Sequence, residues 1–476
     1  SRVDIHIYDL KAARDLKVEL PEPYEYIPRI QWTKDEDELV ITTLNRHQDQ
    51  LVLWNVEVDG DALEIEKMYQ EKAPAYLEID DDLRFLEDDS FIWTSEKDGF
   101  NHLYHLDEDG QVIRQLTSGN YEVTTFYGLD EKSGWLYYQA AEESPLRREI
   151  YRIKLDGSKK EQLSTQAGWN TAQFSEGFQY FIHRHSSAQQ PTRESLRRSN
   201  GTLVREMRDN AALRERLAEY ALSHKEFFNF ATEAGHDLNG WMIKPQDFDP
   251  SRQYPLLLFV YGGPGSQTVE DRYDAFNAMW YQVLANEGYV IASVDNRGTG
   301  ARGRDFRTVT YQQLGKYETE DQIAAARYLG GMNYIDSSRI GIWGWSYGGY
   351  MSSLALFKGH EVFKTAIAVA PVTNWRFYDN IYTERYMRTP QENALGYDDN
   401  SPINHVNKLA GHYLLIHGSA DDNVHLQNTM RMVEALVQAN KQFDLFLYPD
   451  KNHGIGGGNT RYHLYRKMTD FLLENL

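Results

Sequence analysis

Gly344-Trp345-Ser346-Tyr347-Gly348 lies between an apolar, strand-like run, Arg339-Ile340-Gly341-Ile342-Trp343, and a helix-like run from Tyr350 to Phe357. The pattern G-x-S-x-G in this setting predicts a sharp strand-to-helix turn. Its glycines let the chain bend without Cβ clashes, and the bend pushes the Ser346 hydroxyl out of the fold. A serine presented in this way suits acyl transfer.

Working outward, apolar runs alternate with helical stretches of about 10–16 residues, which argues a parallel sheet with crossover helices. The strand candidates are Pro255–Val260, Val290–Val294, Ile340–Trp343, Thr365–Val369, Tyr413–Ile416 and Leu445–Tyr448. The helix candidates include Thr319–Leu329, Gln427–Ala439 and Arg461–Leu473. With the serine turn, this reads as an α/β-hydrolase domain over residues 222–476.

A serine hydroxyl needs a positioned base, and in this fold the acid and the histidine follow the serine on loops after later strands. The strand Tyr413–Ile416 runs into His417-Gly418-Ser419-Ala420-Asp421-Asp422-Asn423-Val424, and Leu445–Tyr448 runs into Pro449-Asp450-Lys451-Asn452-His453-Gly454. Both loops lie at strand carboxyl ends, where open sheets place their sites. Ser346 is read as nucleophile and His453 as general base and then acid. The orienting carboxylate is Asp421 or its neighbour Asp422. G-x-S-x-G alone is short enough to occur by chance; the ordered loops give it weight. One oxyanion donor is the N–H of Tyr347. The other comes from Tyr261-Gly262-Gly263-Pro264-Gly265, where a tyrosine hydroxyl is available.

Other motifs are discounted. Gly298-Thr299-Gly300-Ala301-Arg302-Gly303 fits G-x-G-x-x-G but is not the first strand–helix unit of its domain, so no dinucleotide is expected. Gly454-Ile455-Gly456-Gly457-Gly458 lacks the Lys-Ser/Thr of a phosphate loop. No zinc or calcium pattern occurs, and no metal or cofactor is expected.

The first ~220 residues read as all-β, with short alternating runs broken by Asp-Gly and Ser-Gly turns. Tyr8, Trp54, Tyr104 and Tyr151 mark a repeat of about 45–50 residues, the length of one propeller blade. A second series falls between them at Glu38–Ile41, Ser90–Trp93, Gly134–Tyr137 and Phe178–Phe181. About four or five blades fit, and the pattern predicts further blades ahead of Ser1. Residues 1–221 are assigned to propeller blades, with Asn200–Leu222 read as a charged surface helix bridging the halves.

The chain has 476 residues, 41% of them hydrophobic, which points to at least two domains with large cores. Its net charge of −21 disfavours nucleic acid and anionic membrane surfaces as partners. With no cysteine, disulfides, thiolate metal sites and a thiol nucleophile are excluded. No apolar run is long enough for a membrane-spanning helix, and Val3–Tyr8 does not read as a signal peptide.

The motifs Tyr261-Gly-Gly-Pro-Gly-Ser-Gln267, Gly344-Trp-Ser-Tyr-Gly-Gly-Tyr350, Ala370-Pro-Val-Thr-Asn-Trp375, Tyr382-Thr-Glu-Arg-Tyr-Met387, Gly418-Ser-Ala-Asp-Asp-Asn-Val-His425 and Asn452-His-Gly454 resemble the dipeptidyl peptidase IV branch of the prolyl oligopeptidase family. Trp93–Tyr104 resembles bacterial members. The resemblance covers essentially the whole chain and favours Asp421 over Asp422.

The resemblance implies an eight-bladed propeller capping the hydrolase and removal of N-terminal dipeptides with Pro, less well Ala, as second residue. It implies a proline pocket of Tyr347, Val372, Trp375, Tyr378, Tyr382 and Val424, a carbonyl contact from Asn423, and Tyr261 as second oxyanion donor. It further implies peptide substrates with a free N-terminus, a homodimer, and a periplasmic or extracellular location. The family's paired glutamates, which bind the substrate amine, have no match here and are expected upstream of Ser1. Glu142-Glu143 reads as a hairpin turn. The competing activities are tripeptidyl or post-proline oligopeptidase cleavage and ester hydrolysis. A propeller scaffold without catalysis is the alternative of another class.

Overall fold

A computed structural model describes residues 3–60, 62–79, 81–220, 222–274 and 277–476. The first half holds four antiparallel meanders of four strands each, preceded by the two-stranded sheet Ile5–Asp9/Arg14–Val18. The meanders span residues 26–72, 84–115, 123–162 and 169–208. They stack face to face in chain order. Leu53 and Val40 of the first pack with Phe91 and Tyr104 of the second. Ile92 and Leu103 of the second pack with Leu136 and Tyr151 of the third. Sheets stacked in this way are the blades of a propeller.

The two interleaved aromatic series are neighbouring strands of the same blades. Ile41 pairs with Trp54, Trp93 with Tyr104 and Tyr138 with Tyr151. The repeat is visible in sequence because the second and third blades bury both faces of a central strand; Phe91–Ser95 and Trp135–Ala140 are buried at every position.

One sequence expectation is corrected. Asn200–Leu222 is not a helix throughout. Leu203–Arg208 is the outer strand of the fourth blade, paired with Gln190–Arg198, and among the described residues of this stretch only Ala211–Ala218 is helical. The six strand residues are all exposed, so they carry no alternation, and tertiary pairing overrides their helical composition. The boundary drawn at 221/222 falls on Ala221, outside the described residues.

The second half is one eight-stranded sheet. In spatial order its strands are Lys225–Ala231, Asp237–Ile243, Val290–Asp295, Tyr254–Phe259, Ile335–Trp345, Thr365–Val369, His412–Gly418 and Asp444–Tyr448. The first two strands form an antiparallel hairpin absent from the sequence expectations, and the remaining six run parallel to one another. Alternate residues feed two cores. Leu256, Leu258, Ile340 and Ile342 meet the helices Lys316–Gly330 and Tyr347–Lys358 on one face. Leu257, Trp343 and Ile367 meet Ala278–Asn286 and Thr460–Asn475 on the other. Burial on both faces is why these strands read as continuous apolar runs. No helix among the described residues is long and apolar enough to cross a membrane.

Candidate active site

The strand Ile335–Trp345 ends at Ser346 and the helix Tyr347–Lys358 begins directly behind it. Ser346 sits at φ 60°, ψ −119°, a strained conformation for a non-glycine residue. The flanking glycines make the turn possible. A Cβ on Gly344 would lie 2.3 Å from the Gly348 carbonyl oxygen, and one on Gly348 would lie 2.1 Å from that of Val260. Because the helix starts at Tyr347, the Tyr347 N–H is among those a helix leaves without an internal partner.

The acid and the imidazole meet across two loops. His453 Nδ1 donates to Asp421 Oδ2 at 2.7 Å. The other carboxylate oxygen, Oδ1, accepts the N–H groups of Asn423 and Val424 at 3.0 Å each. The buried His417 places Nε2 3.2 Å from Oδ2. Burial pushes the Asp421 carboxyl up, but His417, His453 and the Asn423 N–H together hold it well below the ordinary carboxylate value. A carboxylate accepts only, so the His453 proton is on Nδ1 and Nε2 is free to act as a base. Asp422 is exposed and makes none of these contacts.

The proline-pocket candidates form one cluster after the strand Thr365–Val369. Trp375 lies on a 3₁₀ turn capped by Asn374, whose side chain accepts the Arg376 N–H at 2.9 Å. Asp379 caps the helix Asn380–Met387 by accepting the Tyr382 N–H at 2.9 Å. The Trp375 ring centre is 5.4 Å from Tyr347, 6.0 Å from Tyr378 and 5.9 Å from Tyr382. Val372, Trp375 and Val424 are buried. Tyr378 donates to Asn423 Oδ1 at 2.6 Å, leaving the exposed Asn423 amide nitrogen for another partner. Burial pushes the Tyr378 phenol up to about 12, so it stays neutral. Tyr261 is 37% exposed with its ring 6.1 Å from that of Tyr347.

Several contacts around the site were not anticipated from sequence. Trp345 Nε1 donates to the His453 carbonyl at 3.0 Å. Glu318, fully buried, accepts the Tyr347 hydroxyl at 2.8 Å and the Gly315 N–H at 2.9 Å. Burial pushes its carboxyl up to about 7. The first-blade turn holds the pocket helix: Arg46 forks onto Glu384 at 2.6 and 2.8 Å, and Gln48 donates to the Ile381 carbonyl at 2.7 Å. Tyr382 lies between these anchors. Sequence carries almost no signal for them, because the partners are more than 330 residues apart. Glu142 pairs with Lys160, as a turn residue can.

A cavity of about 460 Å³ separates the propeller from the oxyanion-side loop. It is lined by Glu78, Glu122 and Arg148 of the propeller, among others, and by Gly265, Gln267 and Arg307 of the hydrolase.

A strained serine on an elbow, an Asp–His pair at the ends of later strands, and blades stacked beside the sheet define a serine hydrolase of the α/β type joined to a propeller. Residues 275–476 match the prolyl oligopeptidase family, and residues 1–192 match the N-terminal region of dipeptidyl peptidase IV. The crystal structure of Porphyromonas gingivalis dipeptidyl peptidase 4 superposes with a TM-score of 0.96 at 49% identity, covering 99% of this chain and 67% of that one. The probable dipeptidyl-aminopeptidase B proteins of Aspergillus terreus and Emericella nidulans are each 35% identical, with 99% of this chain and 54% of each relative aligned. This chain thus spans about half the length of the curated relatives it matches. The chain belongs to the prolyl oligopeptidase family of serine peptidases, in its dipeptidyl peptidase IV branch.

Proposed function

We propose that this chain carries the catalytic machinery of a serine exopeptidase that releases N-terminal dipeptides with proline, or less well alanine, at the second position. Ser346 attacks the carbonyl carbon of that second residue, and the bond to the nitrogen of the third residue breaks. His453 takes the serine proton and hands it to the departing amine, and Asp421 holds the imidazole and stabilises its charged form. The Tyr347 N–H and the Tyr261 hydroxyl receive the oxyanion. Water then attacks the acyl-enzyme by the same route in reverse roles. Val372, Trp375, Tyr378, Tyr382, Val424 and the Tyr347 ring enclose the pyrrolidine ring, while the Asn423 amide nitrogen donates to the preceding carbonyl.

The observation that carries this reading is the uncharged aromatic cluster centred on Trp375, whose ring lies 5.4 Å from that of Tyr347, the residue after the nucleophile. Such a surface suits a flat apolar ring and gives nothing to a charged side chain. The names of the relatives support the dipeptide product. We further propose a homodimer and a periplasmic or extracellular location, both resting on the branch alone.

The test compares X-Pro and X-Ala dipeptide amides with N-blocked forms of the same peptides in the intact protein. Turnover restricted to the free-amine forms, faster for proline, is expected. Equal turnover of blocked and free forms would remove the exopeptidase reading and favour an oligopeptidase.

A further inference from the structure

The glycine-rich run Gly298–Gly303, which fits a dinucleotide pattern by letter alone, is filled by the protein's own carboxylate. Glu122 of the propeller accepts the Gly303 N–H at 2.8 Å and the Ala301 N–H at 3.1 Å. Ala301 and Gly303 lie at φ 61° and 87°, in the left-handed region. Such a bend turns nearby N–H groups to one side and makes an anion-binding nest.

The carboxylate arrives from a firm support. Glu122 directly precedes the blade strand Val123–Asp130, and its carbonyl accepts the Ala141 N–H at 3.0 Å. The docking is close, since a Cβ on Gly303 would lie 2.8 Å from the Phe100 ring and 3.0 Å from the Gly99 carbonyl oxygen. Burial pushes the Glu122 carboxyl up, opposed by the Arg307 charge and the Gly303 N–H.

The other side of the same run holds the loop that carries Tyr261. The Gly265 N–H donates to the Gly298 carbonyl at 2.9 Å, and the Gly300 N–H donates to the Ser266 carbonyl at 3.0 Å. Gly300 packs so tightly that a Cβ would lie 2.5 Å from the Gly265 oxygen. Ser266 closes onto the Gly263 carbonyl through its N–H at 3.1 Å and its hydroxyl at 2.6 Å. Gly263 in turn lies against both tyrosines: a Cβ there would be 3.1 Å from the Tyr261 ring and 3.2 Å from the Tyr347 ring.

We propose that Glu122 is a positioning residue for the oxyanion loop: by filling the nest at Ala301 and Gly303 it fixes Gly265, Ser266 and Gly263, and through them the direction of the Tyr261 hydroxyl. The inference rests on the reading of Tyr261 as an oxyanion donor. It makes one blade of the propeller part of the support of the reacting centre, beyond any role in admitting substrate.

The experiment measures Glu122→Gln, Tyr261→Phe and the double variant in the intact protein, on an X-Pro amide and on a p-nitrophenyl ester. Active sites are titrated with a fluorophosphonate, so misfolded molecules are not counted. Gln keeps the shape but turns an NH₂ toward one of the two N–H groups. Per-site kcat should fall about 10- to 100-fold in Glu122→Gln, as for a small misplacement of a reacting group, with KM and product inhibition by the dipeptide unchanged. The double variant should be no slower than Tyr261→Phe, because Glu122 acts only through that hydroxyl. An unchanged kcat in Glu122→Gln, or losses that multiply in the double variant, overturns the proposal and leaves Tyr261 in its role. An unchanged kcat in Tyr261→Phe overturns both. If Glu122→Gln does not fold, Glu122→Asp, which keeps the charge and withdraws it from the nest, is read by the same outcomes.

Discussion

The indole of Trp345 donates to the backbone carbonyl of His453 at 3.0 Å. The residue before the nucleophile therefore holds the loop that carries the imidazole. Elbow and base are tied by a bond that reaches across the ends of the two strands lying between them in the sheet, not only by the hydrogen bond the reaction itself uses. Arg461 lies over the same indole, 4.7 Å from its centre, and closes it from the other side.

Trp345→Phe keeps most of that ring contact and removes the donor. We expect kcat to fall about tenfold, since small displacements of a catalytic base are costly, while stability drops by only about 1 kcal/mol, one hydrogen bond. Steady-state kinetics beside a urea titration separate the two. Equal kcat in parent and variant would show that the His453 loop holds itself.

Asp421 and Asp422 are adjacent but differ in what they touch. Asp421→Asn should lower kcat by about 10⁴-fold, because the amide can no longer accept the Nδ1 proton and orient the ring correctly. Asp422→Asn should leave kcat within about twofold, as expected for an exposed side chain without these contacts. Comparable losses in the two variants would contradict the geometry.

Two buried carboxyls give opposite pH dependences of stability. The Asp421 pKa is depressed in the fold, so its contribution is present above the ordinary value of 3.8 and is lost as pH falls through its folded pKa. Glu318 is raised from 4.5 to about 7, so between those values the native state holds a proton that the unfolded chain has released. Raising the pH through that window costs stability. Glu318→Gln is neutral throughout and should lose this slope. Urea midpoints of parent and variant, compared at about pH 5 and about pH 8, should shift in the variant's favour at the higher pH. A constant gap would exclude proton uptake by Glu318.

Gly348→Ala places a methyl 2.1 Å from the Val260 carbonyl oxygen, a backbone atom that cannot swing away. The cost should be about 3 kcal/mol or more, the upper range for overpacking, and fluorophosphonate labelling of Ser346 should be lost with it. A variant as stable as the parent would mean that strand and helix can part at the elbow.

The hydrolase half was legible in sequence because its signals are local. Leu256-Leu257-Leu258 is buried on both faces, so the strand is apolar throughout. The blades were legible because Trp93 and Tyr104, or Tyr138 and Tyr151, are cross-strand partners that recur with the repeat. Leu203–Arg208 was misread because all its side chains are exposed and its strand state comes only from pairing with Gln190–Arg198. The hairpin Lys225–Ala231/Asp237–Ile243 was missed at the outer edge of the sheet, where Lys225–Ala231 has a neighbour on one side only.

By itself the sequence determined the elbow, the chain order of serine, acid and histidine, and the two periods that separate propeller from sheet. These follow from backbone sterics and from which faces are buried, both of which are written in consecutive residues. Only the tertiary structure decided which of two adjacent aspartates meets His453, that Glu318 lies beneath Tyr347, that Arg46 and Gln48 hold the pocket helix, and that Glu122 fills the glycine nest. Each of these depends on groups brought together from separate strands or separate halves. A side chain's partner across such a distance is set by packing, and neighbouring letters in the chain do not record it.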